Sequence, residues 1–197
     1  FFLNQLKNKE DKKFDIHIHN KLPISSIGDG WEIINLKSSD FEDEFKDLME
    51  VRKNYSYPNI PEEPNIAIAF SPENKDNLES NFYTYLPTKA QCGFNVLIHA
   101  DFALDNARVS IPPSDYNNKI LEIAAKMFVN KLLKDEELHK RADFAKYLMP
   151  IHKNDKFAQL VWKELTSENK LTEILKKVYT KDRSWQRESY EMIFQVI

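Results

Sequence analysis

Three glycines in 197 residues is the feature that most limits this chain. Glycine supplies the positive-φ turns and close backbone approaches that phosphate-cradling loops need. With Gly28, Gly30 and Gly93 alone, neither a G-x-G-x-x-G fingerprint nor a G-x-x-x-x-G-K-[ST] loop can be assembled. No G-x-S-x-G elbow and no H-E-x-x-H helix is present either. The single cysteine, Cys92, excludes an intramolecular disulfide and any multi-thiolate zinc or iron–sulfur site. No apolar run approaches the ~20 residues of a membrane span, and no signal-peptide pattern stands at the front. These features predict a cytoplasmic protein without a membrane partner.

The 42% hydrophobic share, with 13 Phe, 8 Tyr and 3 Trp, supplies a core rather than a disordered chain. The 28 basic and 31 acidic residues leave a net charge of -3. That balance gives no general drive toward nucleic acid or anionic lipid. The sequence opens Phe1-Phe2-Leu3, apolar and without methionine, which reads as an excised piece of a longer protein.

Two halves differ in their periodicity. Residues 14–19 (Phe-Asp-Ile-His-Ile-His) alternate strictly, as a half-buried strand does. Ser25-Ser26 and Gly28-Asp29-Gly30 read as a connection to a second strand over 31–36, antiparallel to the first. Ser39 and Glu42 have capping-box spacing, predicting a helix to about Arg52. Pro58, Pro61 and Pro64 mark a loop, and the apolar run 66–70 a buried strand. Strands over 81–86 and 94–99 complete a sheet of about five. From Ile120 the apolar residues recur at helical spacing, with Ser114 as the cap. Further helices are expected over 136–149, 154–166, 168–179 and 184–195. The predicted class is α+β: a small mixed-sheet domain with packed helices over 1–112, followed by a helical extension over 113–197.

The chemistry concentrates in residues 83–111. Two strands flank a polar loop with Lys89 and Gly93, and a second polar turn holds Asp105, Asn106 and Arg108. A lysine and an arginine on adjacent loops can grip a phosphate, one as a point charge and the other as a bidentate fork. The same spacing also suits two solvated surface cations.

The string Tyr85-Leu86-Pro87-Thr88, then Gly93-Phe94, then Ile98-His99-Ala100-Asp101-Phe102, with Asn106 and Arg108, resembles the sacsin-like ATPases. In that family a segment of the form LPT … TG-P-F-INADF-L-SNRE follows the ATP-binding domain. The family shares its nucleotide fold with the ninety-kilodalton heat-shock chaperones, histidine kinases, the gyrase B subunit and MutL. The resemblance covers 83–108 and extends loosely to Asn117-Asn118-Lys119-Ile120. The Asn/Glu helix and Gly-rich lids of the nucleotide half have no counterpart, so this chain is similar to the middle, or transducer, domain.

The resemblance implies that Arg108 senses the γ-phosphate of a nucleotide held by a separate upstream domain, with Lys89 a weaker candidate. It implies that Asp101, Asn106 and Gly93 position the loop. ATP and Mg are expected in the upstream domain of the same polypeptide, with no cofactor in this chain. A client protein or a second copy is the expected recipient of the movement. Val109 departs from the family, which often has Glu there. By this reading the chain is not an enzyme by itself. The alternative is a free-standing interaction module with no nucleotide role.

Other clusters have plainer readings. Asp15, His17 and His19 share one strand face and can offer a metal pair, yet lack a nearby third cluster, so a surface strand face is the simpler reading. His99 and Asp101 share a strand face beside the key loop and suit loop orientation better than acid–base work. Asp40, Glu42, Asp43, Glu44 and Asp47 sit where carboxylates favour a helix N-terminus. Lys176, Lys177, Lys181, Arg183 and Arg187, with Trp185 and Tyr190 nearby, form a basic rim rather than a nucleic-acid surface.

Overall fold

In a computed structural model of the chain, residues 31–53, 61, 63–72, 80–84, 86–107, 109–151 and 155–179 are described. The expected strand at 14–19, the His17/His19 pair, the Gly28-Asp29-Gly30 connection, the helix at 184–195 and the basic residues from Lys181 onward lie outside them. Arg108 and Tyr85 lie outside them as well.

The fold is α+β with a mixed sheet. In chain order come β1 (Glu32–Asn35), α1 (Glu42–Lys53), β2 (Ile66–Phe70), β3 (Asn81–Thr84), β4 (Leu86–Gln91) and β5 (Val96–Ala100). The helices α2 (Asp115–Lys134), α3 (Lys156–Thr166) and α4 (Lys170–Tyr179) follow. The strands lie in the order β1-β2-β5-β3-β4. All described pairings are antiparallel except β3 with β5, where Phe82 stands opposite Ile98 in a parallel register. Four of the five expected strands are among those described, and β4 is one that was not expected.

The composition of β2 suits an interior strand, flanked by β1 and β5. Ile66, Ile68 and Phe70 point to one face and Ala67 and Ala69 to the other, and all five are buried. The larger side chains meet Val96 and Ile98 of β5, Phe82 of β3, and the helices. Phe128 of α2 stacks on Phe70 with ring centroids 5.7 Å apart and tilts against Phe94 at 5.1 Å. Phe157 of α3 meets Phe82 edge-on at 5.9 Å. The helices after residue 113 therefore pack into the same core as the strands before it.

Three local expectations change. The Ser39 capping box does not form: Ser38–Asp40 is a 3-10 turn, and Ser39 Oγ donates to its neighbour Asp40 instead. The helix starts at Glu42, so Ser39 is too far back to cap it. The helix expected over 136–149 is broken into a single turn, Glu136–His139, and a 3-10 turn, Phe144–Tyr147. Asp135 caps the first turn, its backbone extended and its carboxylate accepting from Leu138 N–H at 2.8 Å. The break follows that turn, at Arg141. Its guanidinium grips Asp143 through two bonds and donates to the Ser71 carbonyl at 2.8 Å. Anchoring to the end of β2 overrides helical periodicity here. The third change, β4 in place of a loop, shapes the site.

Candidate functional site

Of the residues singled out in sequence, Lys89 lies on β4, and Asn106 lies in the segment that returns along the outer edge of that strand. This strand carries Leu86, Pro87, Thr88, Lys89, Ala90 and Gln91 where a polar loop was expected. Its pairing with β3 is irregular: Asn81 faces Gln91 and Tyr83 faces Pro87, so β4 carries two extra residues over that span. Thr88, buried in the bulge, repairs the ladder. Its hydroxyl donates to the Phe82 carbonyl at 3.0 Å and accepts from Ala90 N–H at 3.2 Å.

On the free side of β4, Lys89 N–H donates to the Val109 carbonyl at 2.9 Å. The segment after β5 therefore returns alongside the sheet edge, next to Lys89, whose side chain is exposed. Asp105 closes that segment into a compact loop. Its carboxylate accepts from Val109 N–H at 3.0 Å and from Ser110 Oγ at 2.6 Å, and its N–H reaches the Ser110 carbonyl at 3.3 Å. Asn106 and Ala107 are exposed at the tip.

Asn117 secures the base of the loop. It stands at the third position of α2, after Ser114, whose hydroxyl accepts from Asn117 N–H at 3.1 Å. Its side chain is 1% exposed and reaches back to the approaching chain. Oδ1 accepts from Ala103 N–H, and Nδ2 donates to the carbonyls of Ala103 and Pro112, each at 2.8 Å. One amide thus fixes both the entry and the exit of the loop. Sequence reasoning noted Asn117 only as a trailing match, although an amide three residues past a Ser cap is well placed to reach back across a helix N-terminus.

Asp101 is buried just before this loop. Its carboxylate accepts from Asn65 N–H at 2.7 Å, and its own N–H donates to the Asn65 carbonyl at 3.2 Å. Burial raises its carboxyl above the usual range, and the Asn65 N–H opposes that shift. Tyr116 Oη donates to the Asp101 carbonyl at 3.0 Å. Asp101 joins β2's approach to the loop's root. His99 has a different setting: it faces Ala67 and Tyr83 on the opposite side of the sheet from the helices, and burial lowers its imidazole to about 4.

Gly93 stands apart from this group. It follows β4, at the end of the sheet away from Asp101, with φ 77, and its carbonyl accepts from Ile151 N–H at 2.6 Å. That positive φ is the conformation glycine supplies without strain. Beside it, Cys92 is fully buried, and burial pushes its thiol up to about 12, so no thiolate forms at neutral pH. Among the described residues, no group of three or more His, Cys, Asp or Glu is placed to hold a metal. No described helix is long and apolar enough to cross a membrane.

No protein-family model matches this chain, and no curated protein or solved structure matches it.

Proposed function

We propose that this chain is a middle, transducer-like module of a sacsin-like or chaperone-like ATPase. In this reading it supplies a γ-phosphate-sensing loop to an ATP-binding domain upstream in the same polypeptide. The observation that supports it best is the loop closed by Asp105 and tied along β4 beside the exposed Lys89. A loop braced at its base and exposed at its tip suits a group that must meet a nucleotide held elsewhere. Arg108 is the sensor, Lys89 the second cation, Asp101 holds the loop's root beside the sheet, and Asn117 ties its base to the start of α2.

Phosphoryl transfer depends mainly on positioning and charge stabilisation, and an arginine delivered from outside the nucleotide domain can contribute ~10³–10⁵ in rate. Delivery from a second domain makes hydrolysis conditional on closure, which couples ATP to shape. ATP and Mg belong to the upstream domain, and the module hydrolyses nothing alone. A client protein or a second copy receives the movement, with no membrane or nucleic acid involved.

The test is turnover in the longer polypeptide. Arg108→Ala is expected to lower ATP hydrolysis by ~10-fold or more while nucleotide affinity stays nearly unchanged, because the lost contact is made in the transition state. Arg108→Lys keeps the charge and loses the fork, and is expected to be nearly as damaging. Wild-type turnover in Arg108→Ala, or micromolar ATP binding by residues 1–197 alone, would sink this reading and favour a free-standing interaction module.

A further inference from the structure

The sheet has a second apolar face that the described helices do not cover. Trp31, Ile33, Ala67, Ala69, Tyr83 and Leu97 form a cluster of their own, each 5% exposed or less. The cluster contains strand residues and Trp31 but no helical residue, whereas every helical core residue belongs to the other face. His99 stands on this same face by the alternation of β5, and it is half-buried there. A face this dry needs a cover, and the described elements do not provide one.

Four stretches of more than three residues lie outside the described ones and can be weighed as that cover. Residues 54–60 begin and end beside α1, where Arg52 Nε donates to the Pro61 carbonyl at 2.6 Å, and Leu48 of α1 is buried in the helix-side core, so this stretch starts from the other side of the sheet. Residues 73–79 (Glu-Asn-Lys-Asp-Asn-Leu-Glu) hold one apolar side chain, too few to seal a cluster of six. Residues 180–197 follow α4, whose Ile174 and Val178 are buried in the helix-side core, so they leave from the wrong side of the sheet. Residues 1–30 run directly into Trp31, a member of the cluster itself. They carry Phe1, Phe2, Leu3, Leu6, Phe14, Ile16, Ile18, Leu22, Ile24 and Ile27. Thirty extended residues reach roughly 100 Å, and a five-stranded sheet is only ~20 Å across.

We propose that this second face is the docking surface for the chain's own residues 1–30, with the apolar row Phe14, Ile16 and Ile18 laid against it. The alternation of 14–19 has a purpose in this arrangement: one row meets the sheet and the other, Asp15, His17 and His19, meets water. The sheet is then a middle layer, with helices on one side and the amino-terminal stretch on the other. This inference does not depend on the nucleotide reading.

Leu97 allows a test in the intact wild-type chain. Photo-leucine is incorporated in place of leucine, the protein is irradiated, and the products are mapped by mass spectrometry in a mixture of light and heavy-isotope chains. Leu97 is expected to join a peptide from residues 1–30 of the same chain. Cross-links to residues 180–197, cross-links between light and heavy chains, or cross-links confined to neighbouring strands would each overturn the proposal.

A second measurement compares the two rows of the alternating stretch. Ile16→Asp with Ile18→Asp is expected to lower the melting temperature by ~5 °C or more and to raise binding of a hydrophobic dye. His17→Asp with His19→Asp is expected to change neither. Equal effects from the two pairs, or none from the isoleucine pair, would also overturn it.

Discussion

Asn117 is the residue on which the loop's geometry most depends. Its amide satisfies the Ala103 N–H and two carbonyls, those of Ala103 and Pro112, all from a buried position. Removing it leaves these groups without their partner, and each buried orphan costs on the order of 1–3 kcal/mol. Asn117→Ala is therefore expected to destabilise the chain by about 3 kcal/mol, read from the shift in a urea unfolding midpoint. Asn117→Asp is the sharper variant. It keeps an acceptor for Ala103 N–H but sets a carboxylate against two carbonyl oxygens, so at pH 7 it should be no better than alanine. Wild-type stability in either variant would mean that the amide does not brace the loop. Lys89, Asp101 and Asn106 could be picked out in sequence as polar residues near one another. Their division into exposed tip and buried root could not, because it rests on partners such as Asn65 and Val109 that lie well outside each local pattern.

At the scale of elements, legibility followed the strength of the local signal. The strand 66–70 was readable because an apolar run stands between two prolines, and α2 because helical spacing begins after a Ser cap. Strand β4 was not, since Leu-Pro-Thr-Lys-Ala-Gln neither alternates nor favours a strand. It forms because β3 offers an edge and Thr88 mends the bulge. The break between α3 and α4 was placed correctly at Ser167, but its conformation was not foreseeable. Glu168 and Asn169 both adopt left-handed backbone, with φ 50 and φ 60. Asparagine tolerates that region, whereas glutamate pays a steric cost of roughly 1 kcal/mol there. Glu168 is exposed and makes only a distant pair with Lys170 at 3.7 Å. Glu168→Gly is thus expected to raise stability by about 0.5–1 kcal/mol, part of the relief being offset by glycine's greater freedom in the unfolded chain. A lower unfolding midpoint for this variant would show that the Glu168 side chain matters more than its backbone strain.

The molecule as a whole is held by aromatic side chains drawn from both halves of the sequence. Phe128 of α2 lies at their centre, 5.7 Å from Phe70, 5.1 Å from Phe94 and 6.3 Å from Phe157. Phe157 in turn meets Phe82 and Phe94, so sheet and helices share their largest contacts. If the helices stabilised themselves apart from the sheet, they would melt apart from it. A shared core predicts the opposite. Heating should produce one transition, with helical signal in the far ultraviolet and aromatic packing in the near ultraviolet lost together. Phe128→Ala removes a fully buried ring from the junction, and large-to-small changes at such sites cost about 3–5 kcal/mol. That loss should move both signals to lower temperature by the same amount, because the cavity weakens a structure common to strands and helices. Two separated transitions in the wild-type chain, or a Phe128→Ala shift confined to the helical signal, would mean that the junction does not couple the halves. A loop held by Asn117 of α2 and rooted at Asp101 beside the sheet could then not relay movement between the two.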